Sequence, residues 1–302
     1  MNQRTKKYDE SLPSFKSFDK ANPLHSFSQP YGICFKGEFM YITDMDTSSL
    51  YIMKKTFSSG CKFVKKVTCT PFNHPRGVAV TDDGDILVVD SGNNQIKVLD
   101  STGEILKMVI GKPGSGVGEF NNPRGICVLP HNQFVVCDTD NCRLHVFNSD
   151  TGEHLQTFGE PGDRLGQYKY PLSVACDKNR DRLAVTDCDN HRIQCYQIID
   201  RRVDFYIDDE STTTLGPWSN PVPNFKLPAG VVYDHEGNLL VSELGNNQIQ
   251  VFDEKQRFLT KIGKLGESLG EFSAPRSLAI DDDGRIYVAD SRNRRIQSFQ
   301  SC

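Results

Sequence analysis

Residues 111–120 read GKPGSGVGEF. Four glycines beside Lys112 are the ingredients of a phosphate cradle, in which bare backbone N–H groups and an ammonium surround an anion. Their spacing fits neither Gly-x-x-x-x-Gly-Lys nor Gly-x-Gly-x-x-Gly, so the nucleotide-binding signatures are missing. Carboxylates offer a second chemistry. Asp44, Asp90, Asp138, Asp187, Glu243 and Asp290 each close a short β-branched run and could be imagined as a ring holding a metal ion. The histidines, His25, His74, His131, His145, His154, His191 and His235, fall at unrelated positions. They form no His-Glu-x-x-His pair, and no nucleophile elbow occurs, so neither metal hydrolysis nor acyl transfer is indicated. The ten cysteines include no Cys-x-x-Cys. Cys34, Cys127, Cys176 and Cys195 lie in apolar surroundings, as small buried thiols do, and reduced cysteines are expected over a zinc site.

The elements that must position these residues are bounded by composition. The chain has 302 residues, a quarter of them charged, and a net charge of -4. No apolar run approaches the ~18 residues of a membrane helix. The first thirty residues contain no apolar segment of the secretory type, so a cytoplasmic protein without membrane contact is expected.

Internal repetition decides the organisation. Six segments share one grammar: a proline-led turn, a β-branched run, a turn, a second run ending in the acidic residue, a polar turn and a third run. HPRGVAVTDDGDILVVDSGNNQIKVLD and APRSLAIDDDGRIYVADSRNRRIQSF are two of them. The aligned prolines are Pro30, Pro75, Pro123, Pro171, Pro228 and Pro275, spaced 45, 48, 48, 57 and 47 residues apart. That period predicts four-stranded propeller blades, hence an all-β, six-bladed β-propeller of antiparallel blades. No window sustains a helical period, which excludes α/β barrels and doubly wound sheets.

The glycine-rich stretch then recurs in register. GKPGSGVGEFNNP (111–123), GEPGDRLGQYKYP (159–171) and GKLGESLGEFSAP (263–275) share their glycines, an aromatic and the proline, and Glu160 replaces the lysine in one copy. A connector between blades explains this better than a phosphate site, with Phe120, Tyr168 and Phe272 plugging the seams between sheets. The sixth copy ends after its third run. Residues 14–30 resemble an outer strand and connector, so residues near Phe15 to Phe18 are expected to complete the last blade and close the ring. Residues 1–13 are then a leader and 14–302 the propeller.

The Pro-Arg-Gly-Val-Ala-Val and Asp-x-x-Asn-x-Arg/Gln-Ile grammar resembles NHL repeats, and the set of six resembles the propeller that ends TRIM-NHL proteins. The resemblance covers residues 14–302. Such proteins carry an upstream RING, B-boxes and a coiled coil that confer ubiquitin ligase activity. Those modules are absent from these residues, so any ligase activity is expected outside this chain. The resemblance implies a non-catalytic, monomeric interaction domain without cofactor or metal. Its partner would be a protein client of such a ligase, or alternatively RNA in post-transcriptional repression.

The repeated acidic residue, followed three positions later by Asn93, Asn141, Asn190, Asn246 or Asn293, reads as a turn in which both side chains bond local backbone. Binding residues are sought where the copies differ. In propellers the connectors and the turns after the second strand emerge on one face, the top. Arg76, Arg124 and Arg276 follow the aligned prolines, and Tyr31 takes that place in copy one, giving a basic arc with an exposed aromatic near the channel. Arg292 and Arg294 stand where other copies have Gly or Asp and Asn, Cys or His. Arg143, Arg192 and Arg295 occupy a repeat position and are expected to pair with carboxylates of neighbouring blades. The longer connector between copies four and five, at 208–227, holds the single tryptophan, Trp218.

Overall fold

The computed structural model describes residues 16–18, 27–56, 60–177, 179, 181–198, 213–215 and 224–300. They form six four-stranded antiparallel sheets around a central channel, with no α-helix among the described residues. Labelled A to D from the channel outward, the strands of blade 1 are Pro30–Lys36, Phe39–Asp44, Ser49–Lys55 and Cys61–Lys66. Blade 2 comprises Pro75–Val80, Ile86–Asp90, Gln95–Leu99 and Leu106–Ile110. Blade 3 follows with Ile126–Leu129, Gln133–Asp138, Arg143–Asn148 and His154–Phe158. In blade 4 they are Pro171–Asp177, Arg182–Asp187, Arg192–Gln197 and Thr213–Leu215. Blade 5 has Pro228–Tyr233, Leu239–Glu243, Gln248–Phe252 and Phe258–Ile262. Blade 6 contains Pro275–Ile280, Arg285–Asp290 and Arg295–Gln300. Backbone pairing sets Lys16–Phe18 beside the last of these, with Ser17 opposite Gln297.

The aligned proline opens the inner strand because it has no N–H to give to a ladder. The register slips just after it in five blades, between Pro75 and Val78 for example. This bulge brings the inner strand's backbone against the next blade. At Gly230 a Cβ would overlap the carbonyl oxygen of Arg276, so the tight seam requires glycine there. One buried hydroxyl per blade sews these seams. Thr43, Ser91, Thr139, Thr186, Ser242 and Ser291 donate to the carbonyls of Arg76, Pro123, Pro171, Ala229, Arg276 and Pro30 respectively. The last bond joins blade 6 to blade 1.

Apolar burial follows the same circle, with each interface between blades holding its own core cluster. Tyr41, Leu50 and Ile52 of blade 1 meet Val78, Ile86 and Val88 of blade 2. Ala279, Tyr287, Ala289 and Ile296 of blade 6 meet Ile33, Met40 and Ile42 of blade 1. Phe120, Tyr168 and Phe272 are fully buried and extend these clusters at the interfaces of blades 2 and 3, of blades 3 and 4 and of blades 5 and 6 respectively. No helix among the described residues is long and apolar enough to cross a membrane. None of the nine described cysteines is in a disulfide; Cys195 is buried, whereas Cys34, Cys127 and Cys176 are only half-buried. The leader 1–13 lies outside the described residues.

Candidate binding site at the channel mouth

The acidic residue that ends strand B organises the top of each blade; in blade 1 Asp44 accepts from the local backbone N–H of Thr47 at 3.1 Å, whereas in blade 3 its backbone partner lies beyond the local turn that the sequence suggests. One oxygen of Asp138 accepts from the backbone N–H of Asn121 at 2.7 Å, in the connector that precedes the inner strand. The other accepts from Asn141 and from Arg143 Nε, each at 2.8 Å. Asn141 also donates to Gly114 O at 2.9 Å, so its partners are the carboxylate and the connector.

The arginine expectation is corrected too. Arg143, Arg192 and Arg295 pair with Asp138, Asp187 and Asp290 of their own blades, because strands B and C are adjacent and the side chains share one end of the ladder. Their remaining N–H groups turn to the glycine-rich connector. Arg295 donates to the carbonyls of Glu267, Ser268 and Glu271 at 2.6, 2.9 and 3.0 Å. Arg143 and Arg192 do the same to residues 115–119 and 163–167. The loop that looks like a phosphate cradle therefore presents its oxygens inward to a cation. Lys112 pairs with Glu119 of the same loop at 3.3 Å and Lys264 with Glu271 at 3.4 Å. Where Glu160 replaces the lysine, Gln167 donates to it at 2.8 Å.

Four of the candidate residues converge at the mouth of the channel. The guanidinium carbon of Arg276 lies 4.8 Å from the centroid of the Tyr31 ring, and that of Arg76 lies 5.6 Å from it. Arg124 stacks 4.5 Å from the ring of Tyr170 and donates to its hydroxyl. It also reaches the Tyr31 phenol. Arg76 donates to Asn122 Oδ1. Tyr31 is buried, at 8% exposure, so the expected exposed aromatic is instead the floor on which arginines from three other blades lean.

Electrostatics mark this cluster as unfinished. Among the described residues, none of the three guanidinium groups has a carboxylate at ion-pair distance, and the Nε atoms of Arg76, Arg124 and Arg276 are buried without a partner. Burial by itself pushes the Tyr31 phenol's pKa up, yet Arg124, Arg276 and Arg76 outweigh it and hold the phenol below its ordinary value. Burial lowers Arg76, and repulsion from Arg124 and Arg276 adds to that against the pull of Tyr31. Unneutralised buried charge is costly, and a bound anion would relieve it.

Below the mouth the inner strands of all six blades enclose a cavity of about 320 Å³. Tyr31, Arg124 and Arg276 line it, with Val78, Ile126, Val174, Val231 and Leu278 among its apolar wall. Among the described residues neither histidine nor carboxylate lines it. Among the described residues no three His, Cys, Asp or Glu side chains gather as a metal site would require.

Arg292 and Arg294 stand outside this cluster, exposed on the turn Ser291–Asn293 and its following residue. Arg294 adopts a left-handed φ of 57°. At that position Asn94 and Asn247 accept from the next blade's backbone, at Asn122 and Ala274. An arginine has no acceptor to offer. Trp218 and most of the 208–227 connector lie outside the described residues. Tyr170 and Asn122 escaped the sequence reading. Both precede an aligned proline, and that shared place was the available signal.

An NHL repeat pattern matches residues 72–99, 120–147 and 168–196, and a 6-bladed beta-propeller pattern matches 229–301. No curated protein sequence matches the chain. Among solved structures, a streptogramin B lyase is 16% identical, covering 94% of this chain and 96% of its own, with a TM-score of 0.61. A gluconolactonase from Xanthomonas campestris is 14% identical over 91% and 86%, at 0.67. A protein of unknown function from Bacteroides thetaiotaomicron is 15% identical over 96% and 73%, at 0.69. Identities this low carry the fold alone. Together with the blade topology, the matches establish a six-bladed propeller that carries NHL repeats.

Proposed function

We propose that this propeller is a non-catalytic docking domain that holds a protein client on its top face, around the channel mouth, as the client-binding domain of a TRIM-NHL ubiquitin ligase would. The carrying observation is the set of three guanidinium groups, without carboxylate partners among the described residues, around Tyr31. The connectors that deliver Arg124 and Arg276 add exposed apolar side chains, Val117 at 75%, Leu265 at 67% and Leu269 at 57%. Arginine beside aromatic and aliphatic groups is the composition of a protein hot spot, with an acidic client residue as the natural complement.

RNA is the second candidate, since arginines and a tyrosine can also meet phosphates and stacked bases. Capture from lysate with and without RNase separates the two. Capture that survives RNase and is lost in an Arg76→Gln/Arg124→Gln/Arg276→Gln variant is the expected result. RNase-sensitive capture, with affinity falling steeply as salt rises, would transfer the function to RNA. Trp218→Ala tests the longer connector in the same assay.

A further inference from the structure

We propose that the channel mouth is a receptor for a carboxylate whose attached apolar group enters the channel below. This rests on the top face being the recognition face, and it names the chemistry of the central contact.

Three features converge. The first is charge: Arg124 and Arg276 line the cavity, Arg76 lies 5.6 Å from the centroid of the Tyr31 ring, and among the described residues no carboxylate is in the wall. A planar guanidinium matches the two oxygens of a carboxylate, and the Tyr31 hydroxyl stands beside it as a further donor. The second is the wall. Beyond the mouth its side chains are mainly those of Gly, Ala, Val, Ile, Leu, Cys and Phe from six inner strands, which gives a hydrocarbon apolar contacts, while Ser173, Ser277, Tyr233 and backbone groups supply polar surface beside them. The third is size. About 320 Å³ is the lower end of ligand pockets, room for one large side chain or a small organic acid. Tyr31 and Arg276 are the second residues of their strands, while Phe35 and Ile280 line the same cavity four residues further along, roughly 13 Å deeper at the rise of a β-strand.

A phosphate ester of a nucleic acid fits less well, because its ribose and base are polar whereas most side chains of the wall are apolar. A free acid and the C-terminal residue of a protein share the chemistry proposed.

The test is calorimetric titration of the whole chain with 3-phenylpropionate, its neutral amide 3-phenylpropanamide, and a short peptide ending in Phe with a free or amidated terminus. Saturable one-to-one binding of an acid is expected, weaker by about tenfold or more for the matching amide and in Arg124→Gln and Arg276→Gln, as the loss of a charge-assisted pair predicts. Thermal melts of both variants confirm folding. Binding of 3-phenylpropionate without the peptide assigns a small acid, and binding of the free-terminus peptide assigns a protein C-terminus. Equal binding of acid and amide, indifference to both substitutions, or no acid binding overturns the proposal. Arginine-dependent client capture without acid binding would leave docking standing and this inference refuted. Acid binding without client capture would do the reverse.

Discussion

The Arg276 guanidinium lies over the ring of Tyr31 although one opens the last blade and the other the first. Only a closed ring brings them together. Arg76 arrives at the same ring from blade 2, so the mouth concentrates like charges, none of which has a described carboxylate at ion-pair distance.

Such a cluster is expected to cost stability rather than provide it. Arg276→Gln should leave unfolding free energy within about 1 kcal/mol of wild type, or raise it, because repulsion from Arg76 and Arg124 is relieved. Tyr31→Ala should lower it by about 3 kcal/mol, since a buried ring is lost. Urea melts of the two variants check the contrast, and a large loss in Arg276→Gln would assign that residue to structure.

The arginines of the repeat position behave oppositely. Arg295 joins buried Asp290 to three connector carbonyls, so Arg295→Ala should cost about 3–5 kcal/mol by stranding a buried carboxylate. Arg295→Lys should recover little, because a single ammonium cannot span the fork. Thermal melts with both variants measure this.

Arg294 spends stability where Asn94 and Asn247 gain it. Arg294→Asn should stabilise the fold by up to about 1 kcal/mol, as asparagine accepts the left-handed conformation more readily. Client capture should weaken in the same variant. Unchanged capture would remove Arg294 from the proposed surface.

Acid should loosen blade 3. His145 is fully buried with its Nδ1 3.1 Å from His154 Nε2 and 2.8 Å from Thr157 Oγ1, and Asp138 and Arg143 face the same group. Burial, then repulsion from His145 and Arg143, holds His154 below its ordinary value. The folded chain therefore resists a proton that the unfolded chain accepts from about pH 6.5 downward, and stability falls as pH drops through that region. Urea melts at stepwise lower pH should show this slope, and His154→Gln should flatten it.

The N-terminal strand is the remaining test of closure. Deleting residues 1–20 removes Lys16–Phe18 from the edge of blade 6 and should lower Tm by about 5 °C or more, with 1 kcal/mol moving Tm by roughly 2–4 °C in a chain this long. An unchanged melt would leave the ring closed by the Ser291 to Pro30 bond and the apolar interface of blades 6 and 1.

Architecture was legible in the chain because it is repeated. A proline without a donor, a β-branched run and an acidic stop, written six times at one period, leave a radial array as the way to bury every sheet. The connector's role was legible for the same reason, once Glu160 replaced a lysine in register. What the chain could not disclose was who meets whom. Whether Arg143 finds a carboxylate of its own blade or the next depends on which strand ends lie side by side. Whether Tyr31 is exposed or covered depends on three arginines that reach it from other blades, at positions far away in the sequence. Those are long-range distances set by ring geometry, and local patterning carries no record of them.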